Sequence, residues 1–253
     1  MAPDYFNTFL RRSSRLFSFM DYLVRRAGAS EGIYPSDEPS GSVDGPDPDR
    51  VAVIGEATAL GYGVRTHRMG VAAQFARQLG ARTGRGVEWR TLGLPGSRIR
   101  SAGKVIVAED GIWAHTDFVI VIAGIADTFE LTSVRTWTRH LRGTIDALVA
   151  ALPIDAQVLI AEIPPLSADG GMTALARVAA GRQARKLNQA TRTVVAACPR
   201  CRVVRFPDYV QQELWHAEFR PAMYAELYRI WARAILEEAV RGSKDRLQRT
   251  EHP

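Results

Sequence analysis

The chain has 253 residues and a net charge of +6, with 46% apolar and 24% charged residues, an ordinary globular composition long enough for one large α/β domain. Its two cysteines cannot build a disulfide framework, and no apolar run reaches the length of a membrane span. The arginines are spread along helical stretches rather than packed in blocks, so a nucleic-acid partner is not expected. With neither a continuous hydrophobic segment nor a small-residue cleavage site at the N-terminus, a cytoplasmic location is expected.

Residues 1–27 hold a candidate amphipathic helix over 4–26. Phe6, Phe9, Leu16, Met20 and Leu23 fall on one face, and Arg11, Arg12, Arg15, Arg25 and Arg26 lie mostly on the other. Docking on its own domain, on a second copy or on a protein partner is the favoured reading. A membrane-surface helix is second, because serines interrupt both faces and Asp21 dilutes the charge. Residues 28–50 read as a linker, with Pro35, Pro39, Pro46 and Pro48 and six acids before Arg50, the first base.

The folded domain is expected over 51–241. A first strand at 51–54 runs into a glycine-rich turn, followed by a helix at about 66–83 and a strand near 87–92. A helical stretch near 98–108 leads to a continuous apolar strand at 118–123. A long helix over 132–151, a strand at 158–163, a helix over 172–197 and a strand at 202–206 follow. The last helix is expected from about 221 to 240, leaving 242–253 as a polar tail. Apolar strands alternating with helices predict a parallel sheet covered on both faces. Ligands of such a sheet bind beyond the carboxyl ends of its strands, where Glu56, Gly96, Gly124 and Asp127 fall.

The first strand ends in Gly55-Glu56-Ala57, followed by Thr58-Ala59-Leu60-Gly61. Further on come Leu94-Pro95-Gly96-Ser97, then Gly124-Ile125-Ala126-Asp127, then Ala217-Glu218-Phe219-Arg220-Pro221. In order and spacing these resemble the blocks of the SGNH/GDSL hydrolases over about three-quarters of the chain. Ile163-Pro164-Pro165-Leu166 and the helix segment ending in Lys186-Leu187-Asn188 resemble further family stretches. The resemblance implies a flavodoxin-like three-layer α/β/α sandwich with a five-stranded parallel sheet. It also implies a site built from a Gly-Asp-Ser nucleophile, a glycine and an asparagine oxyanion donor, and an Asp-x-x-His pair.

This chain departs from that pattern in every reactive block. Ala57 stands at the serine, Glu56 at the aspartate after the first glycine, and Ala126 at the asparagine. Ala217 and Arg220 stand at the acid and base. Gly96 keeps the glycine donor. Losing a serine-type nucleophile alone costs about 10⁶ in turnover, so family-type ester hydrolysis is not expected.

What remains is a candidate binding cleft of Gly55, Glu56, Ala57, Thr58, Gly96, Asp127 and Arg220. The turn after the first strand leads toward a helix, whose N-terminal amides would favour an anion. Arg220 suits a carboxylate or phosphate, and the bland alternative is a salt bridge from Arg220 to Glu56 or Asp127. The expected function is therefore a pseudoenzyme binding a small acyl or anionic ligand, or a protein partner. The alternative is an active enzyme with relocated residues. It would be an esterase-type hydrolase using Thr58, Ser97 and His216, or a lyase or cyclase with Glu56 or Asp127 as base. No cofactor is expected. Cys198-Pro-Arg-Cys201 lacks two further ligands for a metal and reads as two ordinary thiols. Tyr224, Tyr228 and Trp231 recur at helical spacing and read as core.

Overall fold

A computed structural model describes residues 34–166, 173–207 and 221–250, with side chains in the last stretch from 223 to 242. The N-terminal helix, His216, Ala217 and Arg220 lie outside the described residues.

The six strands are β1 (Ser40–Val43), β2 (Asp49–Gly55), β3 (Val87–Gly93), β4 (Phe118–Ile122), β5 (Gln157–Ala161) and β6 (Cys201–Val204). They form one sheet in the order β1-β3-β2-β4-β5-β6. The five strands from β2 onward pair in parallel, as expected, and their spatial order is the flavodoxin-like one, with the chain reversing direction between β3 and β4. β1 is an addition. It lies inside the stretch read as a linker and pairs antiparallel with β3, Ser40 opposite Arg90 and Val43 opposite Val87. Its sequence, Ser-Gly-Ser-Val, has little to bury, but Gly41 lets the strand lie against the Trp89 indole, which a Cβ would meet at 2.7 Å. A short polar edge of this kind covers β3 without exposing an apolar edge.

The helices are α1 (Val71–Thr83), α2 (Ala102–Ala108), α3 (Asp110–Trp113), α4 (Ile125–Phe129), α5 (Val134–Ala151), α6 (Ala174–Val195) and α7 (Pro221–Thr250). Side chains alternate along each central strand, and each set serves one face. Ala52, Ile54, Val119, Val121, Val158 and Ile160 pack under α2, α3, α5 and α6. Val51, Val53, Ile120, Ile122, Leu159 and Ala161 pack under α1 and α7. The three-layer sandwich is thus dictated by strands apolar on both faces. Tyr228 and Trp231 are buried, at 0% and 1% exposure, in the second of these cores.

α7 does not end near residue 240. It runs on through Thr250, because Lys, Arg, Gln and Leu are good helix formers and a single glycine does not stop a helix. Gly242 is where this helix comes closest to the sheet, its missing Cβ lying 2.2 Å from Gln157 Oε1. No helix among the described residues is long and apolar enough to cross a membrane.

Cys198 and Cys201 lie at the opposite edge of the sheet from the strand ends that carry the candidate site, with the Cys201 thiol directed at the Cys198 sulfur at 2.7 Å. Burial and the neighbouring thiol push the Cys201 thiol well up from its ordinary value. It stays protonated at neutral pH and is a poor nucleophile or metal ligand there.

Candidate active-site cleft

The carboxyl ends of β2, β3 and β4 meet at Gly55. In the ladder Gly55 faces Gly93 on one side and Ile122 on the other. Its carbonyl accepts from the Leu94 amide at 2.8 Å, and the Glu56 amide donates to the Ile122 carbonyl at 3.0 Å. A Cβ on Gly55 would lie 2.2 Å from that carbonyl oxygen, so only glycine fits between the strands. The blocks carrying Ala57, Gly96 and Ala126 are therefore brought together at one sheet edge, as the sequence predicts.

The loops above this edge are shaped by glycines with positive φ, notably Gly96 at 67° and Gly124 at 123°. Ser97 follows at φ 55°, a conformation uncommon for a residue with a side chain. Asn188, from the middle of α6, both donates to and accepts from the Ile163 backbone at 2.9 Å. This fixes the Pro-Pro segment after β5.

The turn after β2 leads to the expected helix through a closed loop. Residues 57–63 close on themselves through Tyr62 N–H to Ala57 C=O at 2.9 Å, and α1 begins only at Val71, after a 3₁₀ turn at His67–Met69. No helix N-terminus therefore follows Ala57 directly. Gly61 and Gly63, at φ 77° and 86°, bend the chain here, and Gly63 admits the Tyr224 ring, which a Cβ would meet at 2.2 Å. Tyr62 stands edge-on to both Tyr34 and Tyr224, with ring centroids 5.4 and 5.6 Å apart.

The two acids are engaged in holding loops. Glu56 is 4% exposed. One carboxylate oxygen accepts from the Ile125 amide at 2.6 Å and the other from the Ala126 amide at 3.0 Å. Burial pushes its carboxyl up to about 7 and nearby Asp127 adds to the rise, against the pull of the amide hydrogen bonds. Asp127, also buried, accepts from the Ile99 amide at 3.1 Å and the Thr132 hydroxyl at 2.9 Å. The Arg98–Glu130 ion pair ties the same two loops together. Neither Glu56 nor Asp127 pairs with a cation among the described residues.

The amides of Ala57 and Gly96 meet no acceptor among the described residues. The Thr58 hydroxyl is buried with no hydrogen-bond partner among the described residues. No histidine among the described residues hydrogen-bonds to Thr58 or Ser97. The His67 ring is held elsewhere: its Nδ1 lies 3.0 Å from Asp37 Oδ1, and the same carboxylate accepts from the His67 amide at 2.9 Å. Burial acts to raise the Asp37 carboxyl, but these hydrogen bonds outweigh it and lower the group overall. Sequence reading missed this pair, since Asp37 sits in the supposed linker and its partner is distant in the chain. It clamps residues 34–39 onto the 57–70 segment.

The family model of the GDSL-like lipases and acylhydrolases matches residues 53–234. No curated protein is a significant match in sequence. Solved structures match as folds. The lipase Lip_vut3 from a goat rumen metagenome is 9% identical at TM-score 0.58, covering 75% of this chain and 96% of that one. A G-D-S-L lipolytic protein from Veillonella parvula is 17% identical at TM-score 0.55, over 74% and 96% of the two chains. The psychrotrophic esterase EstA from Pseudoalteromonas is 12% identical at TM-score 0.54, over 76% and 99%.

Proposed function

The chain belongs to the GDSL-like lipase/acylhydrolase family, and we propose that it is a pseudoenzyme of that family, lacking serine-esterase activity and binding a small acyl or anionic ligand in the former cleft. The observation that carries this reading is the engagement of Glu56. Its carboxylate fills the amides of Ile125 and Ala126, at the loop where the family resemblance puts an oxyanion donor. Beside it stand two methyl groups, Ala57 and Ala126, where chemistry would need a hydroxyl and a carboxamide.

One polar group favours a ligand over an empty scaffold. The buried Thr58 hydroxyl has no partner among the described residues. Buried polar atoms of folded proteins are nearly always satisfied, so an oxygen-bearing ligand suits this position, with the free Ala57 and Gly96 amides as further donors to it. The structural neighbours named as lipases and esterases act on esters, which makes an acyl carboxylate the first class to try. Arg220, where the family resemblance puts the base, would supply a cation to the same ligand.

A lyase or cyclase with Glu56 as base is the second reading, since a carboxyl near 7 suits proton transfer. Its burial and its two amide partners count against it, because neither oxygen faces a substrate. An esterase with relocated hydroxyls needs a base at Thr58 or Ser97, and the histidine nearest Thr58 in sequence, His67, is committed to Asp37.

The test is a thermal titration with acetate, butyrate, octanoate and phosphate. A ligand at about 100 times its Kd stabilises by about 2.7 kcal/mol, which is roughly 5–10 °C in a domain of this size. Thr58→Val, which removes the hydroxyl at equal shape, should weaken the response to the bound ligand. No shift with any of the four would sink the ligand-binding half of the proposal.

A further inference from the structure

Away from the cleft, α5 and α6 form an outer layer held together by the Trp137 indole donating to Thr191 Oγ1 at 2.9 Å. Between them lies an open groove of about 640 Å³. Val134, Ala190 and Val194 make its apolar floor, and Arg182, Arg185 and Lys186 stand on its rim. On α6, Leu175 and Val178 lie at helical spacing on the face that carries Arg182, Arg185 and Lys186. Leu175 and Val178 are 72% and 48% exposed, and Val134 is 43% exposed.

The charge of this layer is one-sided. α5 carries Arg135, Arg139 and Arg142 against one acid, Asp146. α6 carries five basic residues and no acid. Arg192 has Glu162 as its partner, whereas Arg182, Arg185 and Lys186 have no acidic partner among the described residues. The positive excess of these two helices exceeds the +6 of the whole chain, so the rest of the molecule is close to balanced.

We propose that the α5–α6 face docks on an anionic phospholipid surface, with Leu175, Val178 and Val134 entering the headgroup layer and Arg182, Arg185 and Lys186 holding lipid phosphates. Unpaired cations beside exposed aliphatic side chains match the two parts of an anionic lipid, its charged head and its apolar chain. A nucleic acid would use the cations but not the aliphatic side chains, and the groove offers no aromatic ring on which bases could stack. The long stems of Arg and Lys let the cations reach phosphate level while the groove floor stays dry. This surface is independent of the cleft and of any ligand bound there.

The test is co-sedimentation of the full chain with vesicles of phosphatidylcholine alone and of phosphatidylcholine mixed with phosphatidylglycerol. The wild type should bind only the anionic vesicles, and less at high salt. Basic residues each contribute about a fivefold factor near such a surface, so R182Q/R185Q/K186Q should weaken binding on the order of 100-fold. L175Q/V178Q should weaken it without changing charge. The control R65Q/R82Q/R233Q removes three exposed cations from the rest of the chain, equal in charge, and should retain most of the binding. All six cations are exposed, so both triple variants should fold, which their melting curves verify. Equal loss in the two triple variants would overturn the proposal in favour of net charge. Binding to neutral vesicles, or no vesicle binding with capture of polyglutamate instead, would overturn it in favour of a plain apolar face or an acidic protein partner.

Discussion

Gly55→Ala protein is expected to lose about 4 kcal/mol of stability or more, enough to leave most of it insoluble or to lower its melting temperature by roughly 10 °C. The new methyl would sit 2.2 Å from the Ile122 carbonyl oxygen and 2.6 Å from the Ala59 Cβ. The first neighbour is backbone, and it already accepts from the Glu56 amide. Relieving the clash means parting β2 from β4 at the centre of the sheet, where both strands are buried on both faces. Overpacking that side-chain rotation can absorb costs less, but here no rotation helps. Urea unfolding of the purified variant measures the loss. A change under about 1 kcal/mol would mean that β2 and β4 do not meet in this register.

The second large effect is a pH dependence set by Glu56. In the unfolded chain its carboxyl loses its proton near 4.5, and in the folded protein it holds it to about 7. Between these values the folded state binds more protons than the unfolded state, so stability falls as pH rises. The contribution is fully present below pH 4.5 and is lost by about pH 7, a change of about 3 kcal/mol. Glu56→Gln has no group to titrate there. The difference between the two stability curves should therefore fall across that window and be flat above it. Other titrations cancel in the difference, including that of Asp37, which acts in the opposite sense at lower pH. A difference curve flat from pH 4 to 8 would show that Glu56 titrates in the fold as it does in the unfolded chain.

The sheet was legible because its central strands are short apolar runs such as Phe118–Ile122, whose length and β-branched content favour a buried strand over a helix. The glycine blocks were legible because a Cβ on Gly55 or Gly124 would clash and Gly96 takes a positive φ that favours glycine. β1 was not: Ser-Gly-Ser-Val has neither alternation nor apolar content, and it becomes a strand through its register on β3. The helix after β2 was legible from its periodicity, but not the turn that Gly61 and Gly63 bend at positive φ before it. Nothing local to Glu56 or Asp37 shows that one fills amides 69 and 70 residues away or that the other clamps His67. Such long-range hydrogen bonds depend on topology, and the sequence shows the partners without their pairing.

The membrane face and the cleft make separate demands on the sequence. The acids of the cleft are held by hydrogen bonds to neighbouring loops, Glu56 to α4 and Asp127 to the Ile99 amide, whereas Arg182, Arg185 and Lys186 on the outer face have no acidic partner among the described residues. A family member freed from catalysis can keep its fold while its surface takes on new contacts, since function resides in sites carried by folds rather than in the folds.

The most direct test of the pseudoenzyme account is covalent labelling by a fluorophosphonate, read as intact mass, for the wild type and for Thr58→Ala/Ser97→Ala. The account predicts no adduct on either protein, and p-nitrophenyl butyrate turnover of the wild type no faster than that of the double variant. Ala57→Ser alone should restore little, because the base and the side-chain oxyanion donor are also gone. A stoichiometric adduct on the wild type, lost in the double variant, would show a working relocated nucleophile and contradict the account.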